Sequence, residues 1–575
     1  MESRIKDGGR SLDGGVIRVG IRWFEFDGEK GFFLNGKPYG QLVGANRHQD
    51  FAYVGNAVPN SQHWRDARLL RDAGCTIIRV AHYPQDPSFM DACDELGLFV
   101  IVATPGWQYW NKKPVFAERV HENTRNIIRR DRNHPSVLMW EPILNETRYP
   151  LDFALQALQI TKDEYPYPGR PVAAADVHSA GVADNYDVVY GWPGDDEKAD
   201  APKQCIFTRE FGENVDDWYA HNNNNRASRS WGERPMSVQA LSLAETYDGL
   251  FRTTGKFIGG AHWHPFDHQR GYHPDPFYGG VMDAYRQPKY SYEMFRSQRS
   301  PEKKDRLYET GPMVFIAHEM TPFSPKDVTV YSNCQEVRLT FCKDGKTMTK
   351  TRAGNGDGMR SPILTFQDMY DFMTDKELTR QGHQDDVWLL AEGLIDGKVV
   401  ASHKVLPARR PAKIVLKLDN ENVPLKADGS DFVTVIASIT DSQGNVKRLN
   451  NQHIRFFVEG EGQLIGDSVM TVNPAPVIWG TAPALVRSTM KPGKIKVTAT
   501  VMLEGIHTPV RGELEFESVP TDVKAVYSPT EAAKLPATRP IGSNATNDSK
   551  DDLKKNAANQ LKEVERQQSE FGEKR

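Results

Sequence analysis

A chain of 575 residues and 64.9 kDa exceeds one domain, because domains run to about 100–200 residues each; three or four are expected. Lys+Arg 72 against Asp+Glu 76 leaves a net charge of −4, so no overall basic field exists to hold a nucleic acid. Mean hydropathy is −0.58 and no apolar run reaches about 18 residues, which excludes a membrane-crossing helix; a soluble chain with no membrane partner is expected.

The amino terminus, MESRIKDGGRSLDGG, is polar and glycine-rich and carries no apolar signal core. Location therefore stays open: cytoplasmic, or periplasmic or secreted if an upstream part belongs to the protein. Residues 16–26, VIRVGIRWFEF, alternate like a half-buried strand, and residues 1–29 read as the residual strand of an upstream β-domain. From 30 to 300 short apolar strands alternate with helix-period stretches. The strands are QLVGAN, TIIRVAHY, LFVIVATP, SVLMWEPILNE, PVAAAD, DVVYGW, CIFTREFG and KFIGGAHW. Helical segments such as SQHWRDARLLRDAG and VFAERVHENTRNIIRRDRNH fall between most of them, with Ser61 and Asp152 as N-caps and Gly74 and Gly97 as C-cap glycines. Eight strand-helix units in this length fit a (β/α)8 TIM barrel. A doubly wound open sheet is the alternative, although no G-x-G-x-x-G follows a strand.

After about residue 305 alternating strands take over, and two β-sandwich modules are expected, 305–410 and an immunoglobulin-like 411–520, divided near PARRPAK. Residues 521–575 read as a polar tail, disordered or loosely helical along Leu553, Ala557, Leu561 and Val564. The five cysteines, Cys75, Cys93, Cys205, Cys334 and Cys342, are odd in number and lack C-x-x-C spacing; buried thiols are expected, though Cys334 and Cys342 could pair.

Barrel enzymes carry their chemistry at the carboxyl ends of the strands. Glu146, after Asn145, closes the fourth predicted strand, and Glu210 closes the seventh. Single strand-end carboxylates are usually solvated or ion-paired, but two facing each other across a barrel mouth form the arrangement a glycoside hydrolase needs.

The segments FFLNGKP, GANRHQD, IRVAHYPQDPSFMDACDELGLFVI, RNHPSVLMWEPILNE, FTREFGE, GGAHWHPFDHQRGY and GGVMDAYRQPK together resemble glycoside hydrolase family 2, the β-galactosidases, β-glucuronidases and β-mannosidases. The resemblance implies that Glu146 is the general acid/base and Glu210 the nucleophile of a retaining mechanism, with Asn145 on the sugar 2-hydroxyl. It further implies that His48 and His82 bind sugar hydroxyls, that Trp263 floors the pocket and that Arg47 supports the nucleophile. A nucleophile must stay ionised, which a guanidinium favours, whereas an acid must hold its proton.

Neighbouring residues have competing readings. Glu141 and Glu213 read as supporting or subsite residues. His262, His264, His268 and His273 could suggest a metal, since i, i+2 rings share a strand face, but no carboxylate or cysteine pattern completes a site and no metal or cofactor is expected. The sequons at Asn145 and Asn544 read as accidental. Trp107, Tyr109 and Trp110 form either a buried cluster or a sugar-stacking subsite.

The chain departs from the family pattern in four places: Leu144 replaces the usual glycine, Ala103 stands where relatives carry an acidic residue, GGVMDAY replaces the Asn-x-Lys element of glucuronide-cleaving relatives, and a truncated form is expected, with only VIRVGIRWFEF in the place of the family's upstream β-domains. The expected activity is removal of a terminal β-linked sugar, β-galactosidase first and β-glucuronidase or β-mannosidase as alternatives, on a carbohydrate such as an oligosaccharide or glycan fragment. An inactive carbohydrate-binding or structural remnant is the alternative of another class. A homo-oligomer is possible.

Overall fold

The structure, a computed structural model, describes residues 1–16, 19–165, 181–197, 202–212, 223–252, 255–269, 276–342, 345–352, 358–373, 387–466, 470 and 472–521. The predicted strand PVAAAD, Glu213, His273, Asn544 and the tail beyond 521 lie outside the described residues.

β1 (Glu2–Asp7) and β2 (Arg10–Val16) form an exposed antiparallel hairpin. β3 (Phe24–Asp27), β4 (Gly31–Leu34) and β5 (Lys37–Pro38) make a small antiparallel sheet. Phe24 and Phe32 belong to the apolar cluster inside the barrel, where the Phe32 ring meets Phe99 edge-on at 5.7 Å. Residues 24–27, read from sequence as the close of an upstream domain, thus help to plug the barrel's lower end.

The central unit runs β6 (Leu42–Arg47), α1 (Asn60–Asp72), β7 (Ile77–Val80), α2 (Pro87–Leu96), β8 (Phe99–Ala103), α3 (Pro114–Asp131), β9 (Val137–Glu141), α4 (Leu151–Glu164), β10 (Val188–Tyr190), β11 (Cys205–Phe211), α5 (Glu233–Phe251), β12 (Phe257–His262) and α6 (Tyr290–Arg296). The seven described strands form one parallel sheet in the order β10-β11-β12-β6-β7-β8-β9. The last strand pairs with the first, Gly259 opposite Leu42. That closure is a barrel's and rules out the doubly wound alternative. At the seam Gly259 holds φ +133°, and a Cβ there would lie 2.0 Å from the Leu42 carbonyl oxygen.

Three local expectations change. Asp152 does not cap α4, which starts at Leu151 after Pro150 and holds Asp152 in its first turn. Ser61 does not cap α1, which starts at Asn60 after Pro59; its hydroxyl donates to Asp431 and accepts from Arg65. β9 ends at Glu141, because Pro142 has no N–H to continue the ladder, so Asn145 and Glu146 lie on the following turn rather than at the strand end.

Beyond the barrel, strands Val314–Ala317, Val328–Ser332 and Leu364–Phe366 form one sheet, and Glu336–Phe341, Thr347–Thr351, Leu389–Ile395 and Lys398–Val405 another, enclosing Val328, Val330, Leu339 and Leu389. Two four-stranded sheets between Lys413 and Ser518 enclose a second core around Val433, Val435, Ile454 and Val497. Both are antiparallel sandwiches with inward-facing apolar alternation. The second rests on the barrel: buried Arg65 of α1 donates to the Phe432 carbonyl at 2.6 Å, and Arg229 donates to Thr481 at 3.2 Å. All five cysteines are buried thiols, and Cys334 and Cys342 are not joined. Among the described residues no helix is long and apolar enough to cross a membrane.

Candidate active site

Inside a β-barrel alternate strand residues point inward, and at the carboxyl ends these side chains converge. Arg79, a lone cation in the apolar strand β7, is fully buried at this convergence. Its Nε and Nη2 donate to Glu141 at 2.7 Å each, a bidentate pair. Nη1 donates to Glu210 Oε1 at 2.8 Å and to Asn46 Oδ1 at 2.9 Å, and Nη2 reaches Asn145 Oδ1 at 3.0 Å. Tyr190 donates its hydroxyl to Glu141 at 2.6 Å. One guanidinium therefore orients the β11 carboxylate and the Asn145 amide together.

The Glu210 side chain is 15% exposed. Burial pushes its carboxyl up from the ordinary range, with the nearby Glu146 charge adding to the rise; Arg79 and Arg209 pull it back. Glu146, 32% exposed, adopts φ +47° and accepts hydrogen bonds on Oε2 from Trp107 Nε1 at 3.0 Å and Gln108 Nε2 at 2.8 Å. Arg209 Nη2 stands 3.5 Å from its other oxygen. Asn145 Nδ2 and Trp263 Nε1 are buried donors without a hydrogen-bond partner among the described residues.

The ring residues gather beside the carboxylates. His82 stacks on Trp263 at 5.3 Å and 14°, and His48 meets Trp263 edge-on at 5.4 Å. The His48 Nδ1 lies 3.3 Å from the Tyr83 hydroxyl. Arg79 thus joins Glu210 and Asn145, Arg209 lies against Glu146 and acts on Glu210 through its charge, and His48, His82 and Trp263 form a contiguous set with Trp107, which lies parallel to His82 at 6.4 Å.

Arg47 does not support Glu210, as the resemblance implied. Adjacent residues of β6 point to opposite faces: Asn46 faces inward, and Arg47 faces the helical layer. There Arg47 pairs with Asp66 of α1 at 2.7 Å and lies over the Phe89 ring. Burial alone would raise Asp66, but the guanidiniums of Arg286 and Arg47 outweigh it and hold the carboxyl well below the usual carboxylate range. Arg79 occupies the role assigned to Arg47. The signal for it was an arginine inside an apolar strand, since a buried guanidinium demands acidic partners. Gln108, Arg209 and Tyr190 had no comparable signal.

His262 packs on Phe211 and Phe295, and burial pushes its imidazole down to about 3, so it is a neutral core residue. His48, His264 and His268 offer ring nitrogens within 4.8 Å of one another. His268 stacks on His264 at 3.9 Å and on His48 at 4.9 Å, nearly face to face. Lone pairs lie in the ring planes, so rings piled this way run their lone pairs side by side rather than toward one tetrahedral ion. The PGWQYW aromatics divide: Trp110 packs against Phe116 and Phe153, whereas Trp107 is 39% exposed at the mouth.

The parallel barrel, with Glu141 and Glu210 held by one buried arginine at the carboxyl ends of its strands, is of the (β/α)8 class, whose active sites lie at that end. Residues 27–227 match the model for glycosyl hydrolases family 2, TIM barrel domain, and residues 416–503 match glycoside hydrolase family 2 C-terminal domain 5. The chain belongs to glycoside hydrolase family 2. It is 32% identical over 505 residues to a β-galactosidase of Thermoanaerobacter pseudethanolicus, covering 85% of this chain and 63% of that protein. It is 28% identical to a putative β-glucuronidase of Formosa agariphila, covering 59% of this chain and 46% of that protein. A β-glycosidase from Bacteroides vulgatus has a similar fold, with TM-score 0.68 at 20% identity, covering 90% of this chain and 69% of that one. The chain thus spans about half to two thirds of the length of the curated relatives it matches.

Proposed function

We propose that this chain carries the catalytic machinery of a retaining β-glycosidase that removes a terminal β-linked sugar, with Glu210 as nucleophile and Glu146 as general acid/base. The observation that carries it is the Arg79 fork, which contacts both Glu210 and Asn145, with Glu146 close enough for its charge to act on Glu210. In the first step a Glu210 oxygen bonds to the anomeric carbon as the bond to the leaving oxygen breaks, and Glu146 gives that oxygen its proton. In the second, water attacks the same carbon, Glu146 takes the water's proton, and Glu210 leaves as carboxylate. Asn145 Nδ2, a buried donor without a partner among the described residues, donates to the 2-hydroxyl, a bond that strengthens as positive charge develops on the sugar. His48 and His82 supply ring nitrogens for hydroxyls, and the Trp263 indole gives an apolar face to the sugar's C–H side.

β-Galactosides are the preferred substrates, a choice supported by the 32% identical relative named for that activity and by GGVMDAY in place of the glucuronide-gripping element. β-Glucuronides and β-mannosides are the alternatives. A 2-deoxy-2-fluoro-β-galactosyl fluoride should label Glu210 covalently, read by mass spectrometry of the peptide, and Glu210→Gln should lose both labelling and turnover while still binding sugar. A panel of aryl glycosides ranks the sugars, and NMR of the first anomer released reports retention. Label on another carboxylate, or inverted product, refutes the reading; sugar binding with neither label nor turnover in the wild type favours a carbohydrate-binding remnant.

A further inference from the structure

The turn that follows β8 is shaped around Glu146. Gly106 holds φ +148°, and a Cβ there would lie 2.4 Å from Leu144 Cδ2, so only glycine lets this segment lie against residues 144–145. Asn145 N–H donates to the Gly106 carbonyl and Gln108 N–H to the Asn145 carbonyl, at 3.0 Å each, stitching the two turns into a short parallel bridge. Across that bridge Gln108 and Glu146 both take left-handed backbone conformations, at φ +48° and +47°, which non-glycine residues adopt only when their surroundings impose them. The result is that the Trp107 indole N–H and the Gln108 amide both end on Glu146 Oε2, at 3.0 and 2.8 Å.

A carboxylate oxygen has about two lone-pair sites, so two donors fill Oε2 and leave no place on it for a transferable proton. Among the described residues Oε1 has no such pair, and the one close cation there, Arg209, stands at 3.5 Å, beyond ordinary hydrogen-bond length. We infer that Trp107 and Gln108 are positioning residues that lock Oε2 of Glu146, making Oε1 the atom that hands the proton to the leaving oxygen and later takes it from water. The inference rests on the acid/base reading of Glu146. The Trp107 ring carries out this role through its edge and leaves its face exposed at the mouth.

The test compares leaving groups. Gln108→Leu and Trp107→Phe, the latter keeping an aromatic ring, remove one donor each. A misdirected acid hurts only substrates that need protonation. With 4-methoxyphenyl and alkyl glycosides, kcat/KM should fall about tenfold per variant, the equivalent of one hydrogen bond to a charged group. With 2,4-dinitrophenyl glycosides, whose leaving group departs unaided, it should stay near wild type. Equal losses on both substrates, or none on either, overturn the inference. Glu146→Ala is the separate check on the acid/base reading: it should lose the poor leaving groups far more than the good ones, and a uniform loss there sinks that reading by itself. A measurement independent of turnover uses 15N-tryptophan: the Trp107 indole N–H resonance, assigned by its absence in Trp107→Phe, should move upfield in Glu146→Ala, and an unmoved resonance overturns the inference.

Discussion

Arg79→Lys isolates what geometry adds to charge at the centre of the site. Arg79 makes five hydrogen bonds: two to Glu141 and one each to Asn46, Glu210 and Asn145. A lysine ammonium has three donors on one atom and cannot span four side chains. It should remain with Glu141, which is almost fully buried and would otherwise be an unpaired charge. Glu210 and Asn145 then lose their orienting contacts. At about 1.5–3 kcal/mol for each hydrogen bond involving a charge, two losses amount to about 3–6 kcal/mol. If that loss falls on the transition state, kcat/KM drops by about 10²–10⁴-fold. Because the positive charge survives, thermal unfolding should shift by only a few degrees. Steady-state kinetics on the best aryl glycoside, the labelling rate of Glu210 and a melting curve together read out both halves. Activity within about tenfold of wild type, in a variant with a native melting curve, would refute the claim that the fork organises the site.

Arg209→Gln removes one of the two charges that oppose the burial-driven rise of Glu210. The nucleophile must be ionised, so a further rise moves the acid limb of the kcat/KM profile to higher pH; a limb that stays or moves to lower pH contradicts the assignment. Asp66→Asn leaves Arg47 and Arg286 without their shared carboxylate and should cost about 3–5 kcal/mol of stability, measured by denaturation. Asp66 is depressed in the fold, so its contribution is complete above the unfolded value of about 4 and wanes as pH falls below it. The melting-temperature gap between wild type and variant should therefore narrow below about pH 4, and a constant gap would contradict the linkage.

Strand-length apolar runs, alternation after residue 305 and the two glutamates were legible in the sequence because each is a local pattern, of period 2 or 3.6 or of an acidic residue following an apolar run. Gly97 was likewise readable as a helix end, and it does sit at φ +70°. Two neighbours misled for the same reason. Asn46 and Arg47 are adjacent in the chain and separated by the thickness of the sheet, and no linear motif says which of them faces inward. Glu141 and Glu146 lie five positions apart, and only the proline break after β9 sends the first into the fork and the second onto the turn.

By itself the sequence determined that the chain has a strand-helix part and two strand-rich parts, and that its acidic and aromatic residues collect at predicted strand ends. Tertiary structure alone decided that the first and last strands meet, which arginine reaches Glu210, and which oxygen of Glu146 is held by Trp107 and Gln108. Those outcomes depend on contacts between residues 38 to 217 positions apart, such as Gln108 with Glu146 and Leu42 with Gly259. Such contacts form only when the barrel closes and brings distant turns within hydrogen-bond reach, a distance that side-chain periodicity does not encode.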